Sequence, residues 1–337
     1  MTNIKSIIRR GLYHSGILGA IHRVRNRRAL TTLMFHRVLP VGGAGYACAE
    51  REFTFTVEGF GRCLDFVKRH YNVVRLQDVR DAITRDKLLP PNPALITIDD
   101  GWRDSMLYAA PELKRRGLSA VLFLSTEVLT SPYDRWWQDA LVRVLADGDA
   151  SVELAEALGL GMSDQTQQFP RDNMRIAAAL AALPEPQRFK LLATALPGVL
   201  NEKCDRQMLV EADIDNLDRA YIELAAHGHT HAPLTELSFP VDDLQQSFNI
   251  ISAIGTCPAA MSFPHGRYDT TLLEAARKVG FQLAFTSVAA LSPLRGGRNG
   301  LRGIGRIHIP ENRWTVDRGR VSFPHLATFL FFRRHES

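Results

Sequence analysis

The stretch Ala94-Leu95-Ile96-Thr97-Ile98-Asp99-Asp100-Gly101 decides how this chain is read. An apolar run ends in two adjacent carboxylates, and a glycine follows at once. The run reads as a buried strand, which places Asp99 and Asp100 at its C-terminal tip. In α/β barrels and open α/β sheets that is where reacting groups collect. Successive strand residues point to opposite faces, so the two aspartates are expected to do different jobs, one binding a metal and the other handling a proton. Asp-Asp-Gly is also good turn chemistry, and the stretch alone leaves a plain turn open.

A second cluster, His227-Gly228-His229-Thr230-His231, follows the strand-like Tyr221-Ile222-Glu223-Leu224-Ala225-Ala226. Neutral imidazole is the commonest side-chain metal ligand. His227 and His231 share a face in a helical turn and converge in a tight loop, whereas His229 points elsewhere in either case. Two nitrogens and one carboxylate make a three-ligand site with a position left for water, the pattern of catalytic rather than structural zinc. The alternative is a solvated histidine-rich loop. A third segment, Ser262-Phe263-Pro264-His265-Gly266, again follows an apolar run at a turn. Proline fixes φ and glycine permits close backbone approach, so such a turn can aim N–H groups at a developing oxyanion.

Together, in this order, the three segments resemble the motifs of the polysaccharide deacetylases of carbohydrate esterase family 4. The first motif of that family is Thr-Phe-Asp-Asp-Gly, with Ile98 here in the Phe position. The second, His-Ser/Thr-x-x-His, is similar to His227 through His231, with Gly228 in the Ser/Thr position. The third ends Pro-Tyr-Gly, and His265 takes the Tyr place. Leu33-Met34-Phe35-His36-Arg37-Val38 resembles a first-strand signature of bacterial members, and Ala120 to Leu124 is similar to the strand after the first motif. Gly303 to Pro310 falls where the last barrel strand belongs, so the resemblance covers about residues 30–312, with one insertion.

The resemblance implies a distorted (β/α)7-type barrel with Asp100, His227 and His231 holding one divalent metal. That metal is zinc by its ligands, although Co2+, Ni2+ and Fe2+ fit similar sets. It implies that Asp99 is the base taking a proton from metal-bound water, and that the backbone N–H of His265, after Pro264, holds the oxyanion. The implied reaction removes acetyl from an N-acetylated sugar. Departures are visible too. The arginine that orients the base in the family is missing just ahead of the third motif, where Met261 and Ser262 stand. No counterpart of the fourth motif is evident. The last strand, Arg306-Ile307-His308-Ile309-Pro310, is similar to the Arg-Ile ending of biofilm-type members. It offers His308 as general acid and Arg306, with His36 from the first strand, as substrate contacts.

Composition suits a globular enzyme: 337 residues, 45% hydrophobic and 23% charged. Cys48, Cys63, Cys204 and Cys257 show no pairing spacing and read as small hydrophobes in a reducing compartment. The net charge of +5 is uneven: residues 1–28 carry seven Lys or Arg and no acid, leaving −2 for the rest. The barrel therefore has no basic nucleic-acid face. Residues 1–28 read as a basic amphipathic segment, either lying on an anionic membrane surface or packed on a barrel spanning 29–312. No continuous apolar core or small-residue cleavage site makes it a secretory signal, and no run reaches transmembrane length. In the 313–337 tail, Phe323, Leu326, Phe329 to Phe332, Arg333 and Arg334 either close the barrel bottom or join that anchor. An insertion at about 130–215 has helical composition and opens with Trp136-Trp137, a sugar-stacking platform or a wedge against the barrel. Elsewhere strand-like and helix-like stretches alternate, the pattern of parallel strands with crossover helices.

The expected protein is thus a cytoplasmic N-deacetylase, peripheral at the inner membrane face, acting on a glycan or lipid-linked sugar precursor. The alternatives are a deformylase or cyclic amidase on the same fold, or a catalytically silent glycan-binding scaffold.

Overall fold

Parallel strands covered on both faces read as near-continuous apolar runs, and the longest strands here do so. The computed structural model describes residues 4–336, except 44, 47–48, 134–135, 162–168, 201–205, 255–258, 294–302 and 317–319. Cys48, Cys204 and Cys257 lie outside the described residues, and Cys63 is buried. Strands β1 (Ala29–Phe35), β5 (Pro93–Ile98), β6 (Ala120–Leu124) and β7 (Ile222–Ala226) are buried along their full length. They continue in parallel through β8 (Ala260–Ser262) and β9 (Leu283–Phe285) to β11 (Gly303–Ile304). Two residues later β12 (Ile307–His308) pairs in parallel with β1, which returns the sheet to its start. The result is a nearly closed barrel. Short strands complete the edges: β4 (Asn72–Val73) pairs with β5, β10 (Ser292–Pro293) runs antiparallel to β1, and β2 (Arg37–Leu39) pairs with β3 (Thr54–Thr56).

Alternation along each strand sorts the core into two layers. Leu30, Leu95, Val121, Phe123, Ala225, Ala260, Leu283, Phe285 and Ile304 form the barrel interior, with Leu76 and Val79 of α4 (Leu76–Thr84) packed into it. Leu33, Ile96, Ile98, Leu122, Leu124, Leu224 and Met261 face outward against helices, including α3 (Val57–His70) and α5 (Ala110–Arg116). Asp99 is therefore the next member of the interior row set by Leu95 and Thr97, and Asp100 belongs to the other face.

The insertion is helical: α6 (Trp137–Ala146), α7 (Gly148–Ala157), α8 (Phe169–Ala181), α9 (Glu185–Ala195) and α10 (Glu211–Asp215). One tie to the barrel is an ion pair in which the buried Arg188 donates to both oxygens of the half-buried Glu127 at 2.5 and 3.0 Å. Arg188 also caps the carbonyls of Leu180, Ala181 and Leu183. Helices α11 (Pro240–Ile254) and α12 (Thr270–Val279) cross over after β7 and β8.

The basic N-terminal segment forms α1 (Ile4–His14) and α2 (Ile17–Arg25). The aromatic C-terminal segment forms α13 (Phe323–Phe331), whose Leu326, Ala327, Leu330 and Phe331 are buried. The two ends meet at His22, which stacks on Phe331 at 4.1 Å and shares hydrogen bonds with Asn26 and the His70 carbonyl. Burial pushes the His22 ring down to about 4 from its ordinary 6.5. A folded pKa below the unfolded one means that this contribution is fully present above about pH 6.5 and is lost as the pH falls towards 4. Thermal melts across that window should show stability falling on acidification, and His22→Gln should flatten the fall. Equal pH dependence in the two proteins would show that this junction does not sense acid.

Candidate active site

The carboxyl ends of β1, β5, β7, β8 and β12 converge on one cleft of about 790 Å3, a common size for small-ligand sites. Asp99 extends the ladder past β5, its N–H donating to the Phe35 carbonyl at 3.0 Å. The chain then turns sharply. Asp100 adopts φ 80 and Gly101 φ 98, and a Cβ on Gly101 would lie 2.3 Å from the Leu124 side chain. That turn swings Asp100 away from Asp99 and towards the loop after β7.

In that loop His227 and His231 converge through a tight turn, not a helix, with φ 70 at Gly228 and φ 59 at His231. A Cβ on Gly228 would meet Asp243 at 2.9 Å and Pro264 at 3.1 Å, which explains glycine at this motif position. Asp243, in the first turn of α11, holds the loop by accepting from the His229 and Thr230 N–H groups and the Thr230 hydroxyl. Asp100 Oδ1 faces His231 Nε2 at 3.2 Å and His227 Nε2 at 3.5 Å. Asp100 Oδ2 accepts from Trp102 Nε1 at 2.8 Å. His227 Nδ1 lies 2.6 Å from Ser262 Oγ and 3.1 Å from the Ser262 carbonyl, which aims Nε2 at Asp100. The three ligand atoms lie within 4.8 Å of one another, all on buried residues. Two imidazole nitrogens and one carboxylate oxygen, oriented by groups behind them, form a donor set that fits a divalent cation of the zinc kind. His229 turns away, 2.9 Å from Thr126 Oγ1.

Asp99 meets a different partner. Arg306 Nη1 donates to Asp99 Oδ1 at 2.6 Å, and Arg306 Nε donates to the Thr286 carbonyl at 3.1 Å. Both side chains are almost fully buried, with the guanidinium 5.3 Å from the Phe123 ring inside the barrel. Burial alone would raise the Asp99 pKa, but Arg306, His227 and His36 outweigh it and hold the carboxyl below its ordinary value. For Asp100 burial is likewise outweighed, here by His227 and His231, and its pKa falls further. Arg306 is thus placed as a partner of Asp99. It reaches Asp99 from the connection between β11 and β12, far along the sequence from Met261 and Ser262.

The remaining sequence-derived residues line the same cleft. His265 takes φ 55 in the turn Pro264–Gly266, and its Nε2 lies 3.1 Å from the His231 carbonyl. His308 stacks on Phe53 at 5.2 Å and stands 5.5 Å from His36. Burial first, then the neighbouring His36, lowers the His308 ring to about 4. The paired tryptophans are buried, so they do not form an open platform. Trp137 lies under Arg188, and Trp136 reaches the cleft to contact His231 at 4.7 Å and Trp102 at 4.9 Å. Sequence reasoning missed Trp102, Phe53 and the Arg37–Asp104 pair beneath Trp102. Trp102 directly follows the quoted stretch and was the easiest to find.

With this geometry in place, comparison with solved structures is informative. The Streptococcus pyogenes deacetylase PplD in complex with acetate is similar over 90% of this chain and 99% of its own, at 15% identity and TM-score 0.53. BC0361, a polysaccharide deacetylase from Bacillus cereus, is similar over 90% and 69%, at 13% identity and TM-score 0.56. A de-N-acetylase from Aggregatibacter actinomycetemcomitans is similar over 90% and 100%, at 16% identity and TM-score 0.52. The fold is that of the polysaccharide deacetylases. No family model and no curated protein sequence matches the chain. The barrel expected from the motifs is therefore the one observed.

Removing Arg306 should strand the Asp99 charge in the barrel interior. Arg306→Met is expected to cost about 3–5 kcal/mol of stability, the usual penalty for breaking a buried pair. Adding Asp99→Asn should restore much of it, which a urea-denaturation double-mutant cycle would measure; additive losses would contradict the pairing.

Proposed function

We infer that the protein is a metal-dependent N-deacetylase acting on an N-acetylated sugar. The observation that carries this reading is the pairing, in one cleft, of a buried Asp100–His227–His231 donor set with an Asp99 carboxylate locked by Arg306. The deacetylase fold supports it. A divalent cation at Asp100, His227 and His231, zinc by its donor set with Co2+, Ni2+ or Fe2+ able to replace it, would polarise the amide carbonyl and ease deprotonation of water.

The chain's own groups then divide the work. Arg306 ties up Asp99 Oδ1 and leaves Oδ2, 3.9 Å from His227 Nε2, facing the donor set as the base that takes a proton from the attacking water. The left-handed turn at His265 displays its backbone N–H towards the oxyanion of the tetrahedral intermediate, with Pro264 fixing the approach. His308 is assigned delivery of a proton to the leaving nitrogen; its ring, lowered to about 4 and so uncharged at neutral pH, must first take up that proton from solvent. His36 and Phe53 complete that wall of the cleft, and the products of the proposed reaction are acetate and a free amine. The substrate assigned is a glycan or lipid-linked sugar precursor at the cytoplasmic face of the membrane. No helix among the described residues is long and apolar enough to cross a membrane.

Acetate release from N-acetylated oligosaccharides and lipid-linked sugars tests the reading. Asp99→Asn should lower kcat by about 10²–10⁴ with metal content unchanged, and His308→Ala should fall in the same range, as expected for loss of a positioned base or acid. Asp100→Ala should release the metal. If wild type and Asp99→Asn both bound metal without releasing acetate, the protein would be a silent glycan-binding scaffold. Faster turnover of a small formyl or cyclic amide would instead make it a deformylase or cyclic amidase.

A further inference from the structure

The first two helices are amphipathic, yet each turns its apolar side outward. In α1, Ile4, Ile7, Ile8 and Leu12 are 73%, 57%, 55% and 38% exposed, and no residue of the helix is fully buried. The side facing the protein is polar: Ser6, Arg9 and Tyr13 are the half-buried residues, and the Tyr13 hydroxyl lies 3.0 Å from His70 Nε2. Helix α2 repeats the arrangement. Leu18 and His22 are buried, followed by Asn26, whereas Ile17, Ile21 and Val24 are 47%, 39% and 81% exposed with Ala20 beside them. Apolar residues at i, i+3, i+4 and i+7 ordinarily face a core. Here two such stripes lie side by side on the surface, with Phe332 at the end of α13 also exposed.

Charge identifies the occupant. Lys5, Arg10, Arg23, Arg25, Arg27 and Arg28 are exposed on these two helices and just after them, and residues 1–28 contain no Asp or Glu. A second copy of this face would bring the same positive charges together, so self-association is opposed. An anionic bilayer offers both an apolar layer for the stripes and negative headgroups for the cations. The hairpin is held firmly enough to transmit that contact: the His22 and Arg27 carbonyls accept from Asn92, which precedes β5, and Arg25 and Asn26 donate to the Phe331 carbonyl.

We propose that the outward apolar stripes of α1 and α2, ringed by basic residues, dock the protein flat on an anionic lipid surface. The proposal rests on the membrane placement given above and supplies the surface for it. Asn92 marks the amino ends of the strands, and the cleft opens at their carboxyl ends, so docking leaves the site accessible.

The full chain should co-sediment with vesicles of phosphatidylcholine mixed with phosphatidylglycerol, and far less with phosphatidylcholine alone. Raising the salt concentration should weaken binding, as screening requires. The double variant Ile8→Asp/Val24→Asp should lower partitioning about tenfold or more, the scale set by losing buried isoleucine and valine from the bilayer. Its circular dichroism, and acetate release from a soluble N-acetylated oligosaccharide, should match wild type. Failure of the wild-type protein to bind anionic vesicles at low salt would overturn the proposal. So would a concentration-dependent dimer, seen by light scattering and abolished by the double variant, because the occupant would then be a second copy. Sedimentation requires no turnover, so docking and deacetylation fail or succeed separately.

Discussion

The contact between Arg306 and Asp99 is the constraint around which the site is arranged. Two opposite charges buried inside a barrel are tolerated only when each satisfies the other, because either alone would carry a large desolvation cost. Arg306 lies on the short connection between β11 and β12, so the pair forms only when the last strand returns to β1. Closing the barrel and fixing the Asp99 carboxylate are therefore one event. With Asp99 held on the interior row, the sharp turn at Gly101 can send Asp100 to the histidine loop without the two carboxylates competing for one cation. The different surroundings of the adjacent aspartates are thus a consequence of strand alternation, reinforced for each by a different partner.

Much of this was legible in the sequence because the deciding signals are local. Ala94 to Gly101 carries its strand, its turn and both carboxylates within eight residues, and the three histidines of His227 to His231 pointed to a ligand loop with a solvated loop as the alternative. Apolar runs alternating with helical segments indicated parallel strands with crossover helices, and the motif resemblance implied the barrel. What escaped depended on pairing across long stretches of chain. Arg306 read as a substrate contact because nothing near it in sequence reveals Asp99, more than two hundred residues away. Trp136 read as a platform or a wedge, and it is buried while also touching His231, since the insertion folds back over the cleft. The N-terminal helices show the same limit of local information. Periodicity in residues 1–28 revealed a basic amphipathic segment, but whether its apolar side faces core or solvent depends on the partner, here His70 and Phe331.

The two ends of the barrel serve different needs. At the carboxyl ends, polar groups converge on a cleft whose walls come from the insertion and from the loop carrying Phe53. At the amino ends, the chain termini interlock through His22, Asn26 and Phe331, and that lock fixes the direction in which the exposed isoleucines point. The cleft and the exposed apolar face of the first two helices are thereby built from separate residues, and either can vary without disturbing the other.

Backbone conformation adds an evolutionary marker. Of the five non-glycine residues with positive φ among those described, Asp86 and Asn92 are short polar turn formers, and the other three are Asp100, His231 and His265. Glycine would occupy each of those three positions with less strain, by about 1–3 kcal/mol apiece. Keeping Asp and His rather than glycine at three points of one cleft is what the metal-site and oxyanion roles proposed above would require. A lineage freed from that chemistry would be expected to drift towards glycine or asparagine at these positions and to become more robust as it did so. The residues at 100, 231 and 265 can therefore distinguish, among chains of this shape, those still under selection for the reaction from those that keep only the barrel.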